Sequence, residues 1–350
     1  MTGALRVGPQ SAGARPGPAC YGHGGDQPTV TDANVVLGRL PPTLLGGEMA
    51  LDVKASEEVV SKIARSLGLD LYQAAQGILD IVNENMFGAL RLVTISKGLD
   101  PRDFALVAFG GAGPLHGNAI SVLAGCFPVI VPPTPGVLSA LGFLYSDVKN
   151  EFARTFIRTM DEVQPAEVES VLMELGAEAK NWLVAENIGE GQQDLRYEVD
   201  VRYFRQGYEF SLDVQPESLG NGGFDSLRTR FGDIHERLYG FRLEVPVELV
   251  NLRAVGSGRV VKMQFPRFDL EGPDPSKALL EQHRVYYHGN FLNANVYDRQ
   301  QLRAGNRIAG PAIVLQKDST TVIHPGHAGE VDAYLNILIM PEGQSLPAKA

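Results

Sequence analysis

Cysteine is almost missing from this chain: Cys20 and Cys126 are the only two in 350 residues, and they lie far apart. That usage excludes a disulfide scaffold and suits a reduced, cytoplasmic setting. A basic excess is missing too. Lys and Arg number 31 against 41 Asp and Glu, a formal net charge of −10. Phosphate neutralisation needs clustered positive charge, so a non-specific nucleic-acid binder is excluded, and an anionic membrane surface is no better a partner. No run is long and apolar enough to span a bilayer, because the best stretch, 127–145, is interrupted by four prolines and two glycines. The opening Met1-Thr2-Gly3-Ala4-Leu5-Arg6 lacks the apolar core of a signal peptide. There is no internal repeat. G-x-S-x-G, H-E-x-x-H and G-x-x-x-x-G-K-[ST] are all absent, which removes the α/β-hydrolase, zincin and P-loop readings.

What is present is an ordinary globular composition, 44% hydrophobic and 21% charged, at a length that predicts two or three domains. The chain is organised around Leu106-Val107-Ala108-Phe109-Gly110-Gly111-Ala112-Gly113-Pro114-Leu115-His116-Gly117. An apolar strand-like run enters a glycine-rich turn that opens a helix. Glycines let backbone approach a ligand without a Cβ in the way, and helix-opening amides can face an anion or a nucleoside. The alternative is a tight strand-to-helix turn with no ligand.

Residues 6–47 are dense in Gly and Pro, so regular structure should be scarce there and the segment should be both a functional loop and the tail of something missing. Thr31 or Asp32 is the expected cap of an apolar-periodic piece over 35–40, and Ser56 that of a short helix ending at Gly68. Asp70 with Gln73 forms a capping box for a long helix. Its stripe of Leu71, Ala74, Ile78, Ile81, Val82, Met86, Ala89, Leu90 and Val93 reads as core, with Asn83, Asn85 and Arg91 on a solvated or inter-helix face. A strand over 104–109, a helix to 124 and a strand over 129–131 make a βαβ-type unit, where ligands gather beyond the strand carboxyl ends. Past about residue 150 the pattern changes to a helix over 165–186, a hairpin turning at Arg205-Gln206-Gly207, a helix over 224–239, a buried strand over 245–255, and a β-rich module from 284 onward. The expected domains are 1–150 and 151–350.

Cys20 and His23 offer half a zinc site, with no second Cys or His pair to complete it. Asp32 and His116 are better placed to converge on one wall of a cleft, as ligands of a divalent ion or as catalytic acid and base. An aspartate capping its helix and a histidine at a helix end are the competing readings. Asp318-Ser319-Thr320-Thr321 reads as a structural turn capping a strand.

Several stretches taken together resemble one family. They are 11–22 (Ser-Ala-Gly-Ala-Arg-Pro-Gly-Pro-Ala-Cys-Tyr-Gly), 28–34 (Pro-Thr-Val-Thr-Asp-Ala-Asn), Asn83-Glu84-Asn85-Met86, Asp100-Pro101-Arg102-Asp103-Phe104, the glycine turn, 135–142 (Pro-Gly-Val-Leu-Ser-Ala-Leu-Gly) and Ile308-Ala309-Gly310-Pro311-Ala312-Ile313. In order and spread the chain is similar to the hydantoinase A/5-oxoprolinase family, which includes ATP-dependent N-methylhydantoinase A and the ATP-binding subunits of acetone- and acetophenone-type carboxylases. The resemblance implies an α/β fold: the second half of an actin-like (ASKHA) ATPase domain, then an α+β C-terminal domain ending in a small β-rich module. It implies that Gly110, Gly111, Ala112, Gly113 and Pro114 form the adenosine-side loop, with ATP and Mg²⁺, or another divalent metal, as cofactors. ATP would phosphorylate the carbonyl oxygen of a small cyclic amide such as a hydantoin or 5-oxoproline. A hydantoinase B-like subunit is the implied partner. The family's Asp-x-Gly-Gly-Thr phosphate hairpins do not occur in this sequence, so the resemblance is to the C-terminal part of the subunit and implies a missing N-terminal half. Where the family pattern has glycine, the chain carries Arg205, and the pattern calls for no histidine at His23. An ATP-dependent amidohydrolase subunit, a carboxylase subunit and a non-catalytic assembly subunit remain open here.

Overall fold

The computed structural model describes residues 5–44 and 47–344; the first four residues of the opening segment lie outside them. The chain forms two compact units, one from residues 1–142 with 264–350 and one from 143–263.

The first unit begins irregularly, as its Gly and Pro content predicts, with Ala19–Tyr21 a single 3₁₀ turn. Helix α1 is Val30–Val36, its cap is Thr29, and Asp32 is the third helical residue of a capping box rather than the cap. Short strands β1 (Thr43–Leu44) and β2 (Met49–Ala50) pair antiparallel. Helix α2 (Val53–Leu67) is capped by Asp52, whose carboxylate accepts the Ala55 amide at 3.0 Å. Ser56 therefore lies inside the helix. Helix α3 (Leu71–Val93) carries the expected Asp70/Gln73 box. Ala74, Ile78 and Leu79 bury against α1 and α2, but the stripe leaves the core after Asn83, and Val93 is 55% exposed. Periodicity continues there with no described element to cover it.

Strand β3 (Leu106–Val107), helix α4 (Gly113–Ala124) and strand β4 (Val129–Val131) form the expected βαβ unit, with β3 and β4 parallel. After helix α5 (Leu138–Tyr145) the chain enters the second unit. Strands β5 (Val148–Thr159), β6 (Gln193–Tyr203), β7 (Phe210–Val214) and β8 (Val247–Gly258) make an antiparallel sheet in the order β5-β8-β6-β7. Helices α6 (Pro165–Ala185) and α7 (Phe224–Tyr239) pack on it through Val168, Leu172, Leu175, Leu227 and Phe231. Fully burying such side chains stabilises by about 1.5–3 kcal/mol each. Between β6 and β7, Arg205 holds the left-handed conformation (φ 64°) that glycine adopts at no cost, so the hairpin keeps a glycine-type turn despite its arginine.

The β-rich module follows as β9 (Leu279–Tyr287), β10 (Asn290–Asp298), β11 (Arg307–Ala309), β12 (Ala312–Gln316), β13 (Ser319–Ile323), β14 (His327–Val331) and β15 (Ile337–Pro341). It does not extend the second unit. A four-stranded sheet runs β13-β12-β10-β9, and β11, β14 and β15 join β4 and β3 in the order β11-β14-β15-β4-β3. The pairing of Ile337 with Val131 and of Ile339 with Val129 closes this sheet across more than 200 residues. The compact units thus cut the chain differently from a linear division at residue 150.

Candidate functional site

Gly110 leaves β3 with φ +82°, a left-handed backbone that side chains resist, and its amide donates to Pro135 O at 2.8 Å. Gly111 and Ala112 are exposed at the tip of the turn. A Cβ on Gly111 would touch only Asp318 O, at 3.7 Å, so packing does not demand glycine there. Helix α4 starts at Gly113 with Ala112 as its cap residue, and no side chain bonds its first amides. Such amides carry the partial positive charge of a helix start. Gly117 serves packing: a Cβ there would lie 2.8 Å from Ala108 Cβ and 3.2 Å from Val129 Cγ1.

Two further turns hold this one. The Gly136 amide donates to Asp318 Oδ2 at 2.9 Å, the Ser319 hydroxyl to Gly111 O at 3.2 Å, and Gln316 Nε2 to Pro133 O at 2.6 Å. A Cβ on Gly136 would sit 2.5 Å from Asp318 Oδ2, so glycine is what admits the carboxylate. Turns from 110–114, 133–136 and 316–319 therefore form one rim at the carboxyl ends of the parallel pair, the ligand-gathering place of such units. The stretch from Asp318 to Thr321, which reads as structural in the sequence, holds the end of the β12–β13 turn and the start of β13, and its Asp318 and Ser319 position the glycine turn. Its side-chain types gave that role away only as turn formers.

Asp32 is wholly buried and its oxygens are engaged. Oδ1 accepts Cys20 N at 3.0 Å and Ser56 Oγ at 2.8 Å; Oδ2 accepts Ala19 N at 3.3 Å, Thr29 N at 3.0 Å and Thr29 Oγ1 at 2.7 Å. One carboxylate thus ties the N-terminal segment, α1 and α2 together. Burial, with the Asp32 charge beside it, pushes the Cys20 thiol up to about 12, so that sulfur is protonated and not a nucleophile at neutral pH. His116 is buried on α4, its Nδ1 2.8 Å from Asn83 Oδ1 of α3. Burial, then the nearby Arg39 charge, lowers His116 to about 4 and keeps it neutral.

Asp32 and His116 share no hydrogen-bond partner among the described residues. Nor does any group of three or more His, Cys, Asp and Glu gather among them where an ion could sit. A carboxylate already taking five hydrogen bonds and an imidazole facing an asparagine do not by themselves make a metal centre, which also applies to Cys20 with the exposed His23. Asn83, assigned by periodicity to a solvated or inter-helix face, lies on an inter-helix one, and the packing of α3 on α4 shows that its buried partner is His116. Two cavities of about 370 and 300 Å³ lie in the second unit, around Arg230 and around His235, and contain none of the candidate site residues Cys20, His23, Asp32, Gly110–Pro114 and His116.

Comparison with known proteins divides the chain into two consecutive stretches, unlike its compact units. The model of the family described as Hydantoinase/oxoprolinase matches residues 1–152, and that described as Hydantoinase/oxoprolinase C-terminal domain matches 158–339. Caprolactamase subunit alpha of Pseudomonas jessenii is 33% identical over 94% of this chain and 49% of its own length. For the acetophenone carboxylase gamma subunit of Aromatoleum aromaticum the figures are 34%, 94% and 47%, and for 5-oxoprolinase 1 of Arabidopsis thaliana 31%, 97% and 28%. The crystal structure of the ATP-dependent caprolactamase from Pseudomonas jessenii superimposes with a TM-score of 0.82 at 30% identity, covering 97% of this chain and 50% of that one. The chain spans about half the length, or less, of these relatives.

Proposed function

Because the chain belongs to the hydantoinase/oxoprolinase family, we propose that it works as part of an ATP-dependent amidohydrolase that opens a small cyclic amide of the hydantoin or 5-oxoproline type. In this reading residues 1–142 with the β-rich module belong to an actin-like ATPase domain, and the rim at Gly110–Pro114 receives the adenosine side of the nucleotide. The observation that supports it most is the glycine turn itself: a left-handed Gly110, an exposed Gly111 and uncapped α4 amides, held by Asp318 and Ser319 beyond the strand ends. Bound ATP would supply a phosphoryl group to the amide oxygen, leaving ADP and a ring carbon open to attack by water. This chain's own residues would bind and orient: glycines 110 and 111 admit the nucleoside, and the Ser319 hydroxyl and Gly136 amide fix the turn against it. The sequence has no Asp-x-Gly-Gly-Thr segment, so the grip on the triphosphate and on its Mg²⁺ comes, in this proposal, from a segment or chain beyond these 350 residues, and catalysis from assembly with a hydantoinase B-like subunit.

A carboxylase reading is kept because the acetophenone carboxylase gamma subunit is as similar as the caprolactamase subunit. Two measurements separate the possibilities. Calorimetry with ATP and AMP on the chain should show weak binding and no hydrolysis, with binding lost in Gly111→Val while circular dichroism stays unchanged; unaltered binding would remove the turn from the site. In the reconstituted complex, ATP consumption driven by hydantoin, 5-oxoproline or a lactam supports the amidohydrolase, whereas consumption that requires bicarbonate and a ketone supports the carboxylase.

A further inference from the structure

A second polar site lies inside the first unit, away from the rim. Arg39, in the turn after α1, is only 5% exposed, yet its side chain has one hydrogen bond among the described residues, from Nη2 to Gln76 Oε1 at 2.9 Å, and no ion pair. The acid closest in influence, Asp80, is exposed and already accepts from Gln76 Nε2 at 2.7 Å. A buried guanidinium without a counter-charge is costly. The Arg39 guanidinium lies 5.9 Å from the centre of the Tyr287 ring, and Tyr287 OH is 3.3 Å from His324 Nδ1. His324, also 5% exposed, has no partner for Nε2. Asn118 Oδ1 accepts the His324 backbone amide at 2.8 Å, and this leaves the Asn118 NH₂ as a second buried donor without a partner.

Arg39, Tyr287 and His324 line a small, partly open space of about 20 Å³ together with Pro311, Val322 and Pro325. That is room for one water or one monoatomic ion. We propose that this cavity is a binding site for a single halide ion, chloride being the physiological candidate, held by the Arg39 guanidinium and by Nε2–H of His324. In this proposal the Tyr287 hydroxyl donates to Nδ1, the tautomer that puts the imidazole proton on the unpartnered Nε2. A water would accept the same hydrogen bonds but leave the buried positive charge uncompensated; a halide does both. The groups whose charges act on His324 are Arg39, His327, His288 and His116, all cationic when charged, and burial followed by these holds it at about 3, hence neutral. The halide therefore compensates the arginine alone. His116 and Asn118 lie on α4, which starts at Gly113, and His324 directly follows β13, which starts at Ser319, so the ion would brace the layer beneath the glycine turn.

The test is thermal unfolding of the chain at constant ionic strength, with sodium gluconate replaced stepwise by sodium chloride or bromide. A saturable rise of Tm by about 2–4 °C is expected, by the stabilisation that binding to the native state confers. Arg39→Met should abolish that dependence. Crystals grown in bromide should show an anomalous peak within hydrogen-bond distance of Arg39 and His324, which decides the matter on the parent protein if the variant does not fold. Equal Tm in gluconate and chloride, an unchanged chloride response in Arg39→Met, or density without anomalous signal in the cavity would overturn the proposal in favour of a water.

Discussion

Replacing Asp32 by Asn decides whether that carboxylate is a reacting group or a structural knot. The amide keeps one acceptor oxygen and turns the other into a donor. If the NH₂ takes the Oδ1 position, the Ser56 hydroxyl can rotate to accept, but the Cys20 amide is left facing a donor; in the Oδ2 position, the Ala19 and Thr29 amides are both orphaned. The first arrangement is the milder one. One buried donor without a partner costs about 1–3 kcal/mol, and loss of charge on the remaining hydrogen bonds adds to it, so a total of about 2–4 kcal/mol is expected. Trp182, the only tryptophan, is in the second unit and would not report this. Cys20 does, being 1% exposed and hydrogen-bonded through its amide to Asp32. In a Cys126→Ser background, alkylation of Cys20 through local opening should accelerate roughly 30-fold to several hundred-fold in Asp32→Asn, at about 1.4 kcal/mol per factor of ten. Removing the carboxylate also lets the thiol ionise more readily, so the rate is compared at several pH values to separate opening from ionisation. Parental labelling rates and an unchanged denaturation midpoint, together with lost turnover in the full complex, would refute the structural assignment and return Asp32 to the chemistry.

His116, lowered to about 4 by burial and Arg39 from an ordinary 6.5, binds its proton more readily when unfolded. Its contribution is fully present above pH 6.5 and is lost as pH falls towards 4, by up to about 3 kcal/mol; His116→Gln should flatten that part of a stability–pH curve, and an unchanged slope would contradict the burial argument. Gly117→Ala should destabilise by about 1–3 kcal/mol in urea unfolding, because its Cβ meets Ala108 and Val129 at 2.8 and 3.2 Å, whereas a neutral result would mean that α4 is free to shift on the sheet. Arg205→Gly relieves a left-handed arginine and forfeits its contact with the Phe204 ring, so stability should stay level or rise by up to about 1 kcal/mol; a clear loss would show that the arginine holds the hairpin.

Local hydrogen bonding was legible in the chain because its partners are three or four residues apart. Asp70 and Gln73 form the capping box that their spacing announces, α7 covers the expected 224–239, and the order of strand, glycine turn, helix and strand dictates the parallel pair β3 and β4. The resemblance carried by the scattered motifs likewise needed only the sequence. Even here one-dimensional reading misplaced the caps at Thr29 and Asp52 by a few residues, since several hydroxyl and carboxylate side chains compete for each helix start. Tertiary structure alone decided what lies far apart in the chain. Ser56 resembles a cap but spends its hydroxyl on Asp32, 24 residues away. Asn83 meets His116 across two helices, Asp318 meets Gly136 across 182 residues, and β15 brings the C-terminal module back to β4. Periodicity fixes which face of a helix is apolar, but not what will cover it, which is why the second half of the α3 stripe is exposed. Nor does residue type fix whether an aspartate ends as ligand or knot. That depends on how many donors the folded chain delivers to its oxygens, and at Asp32 it delivers five.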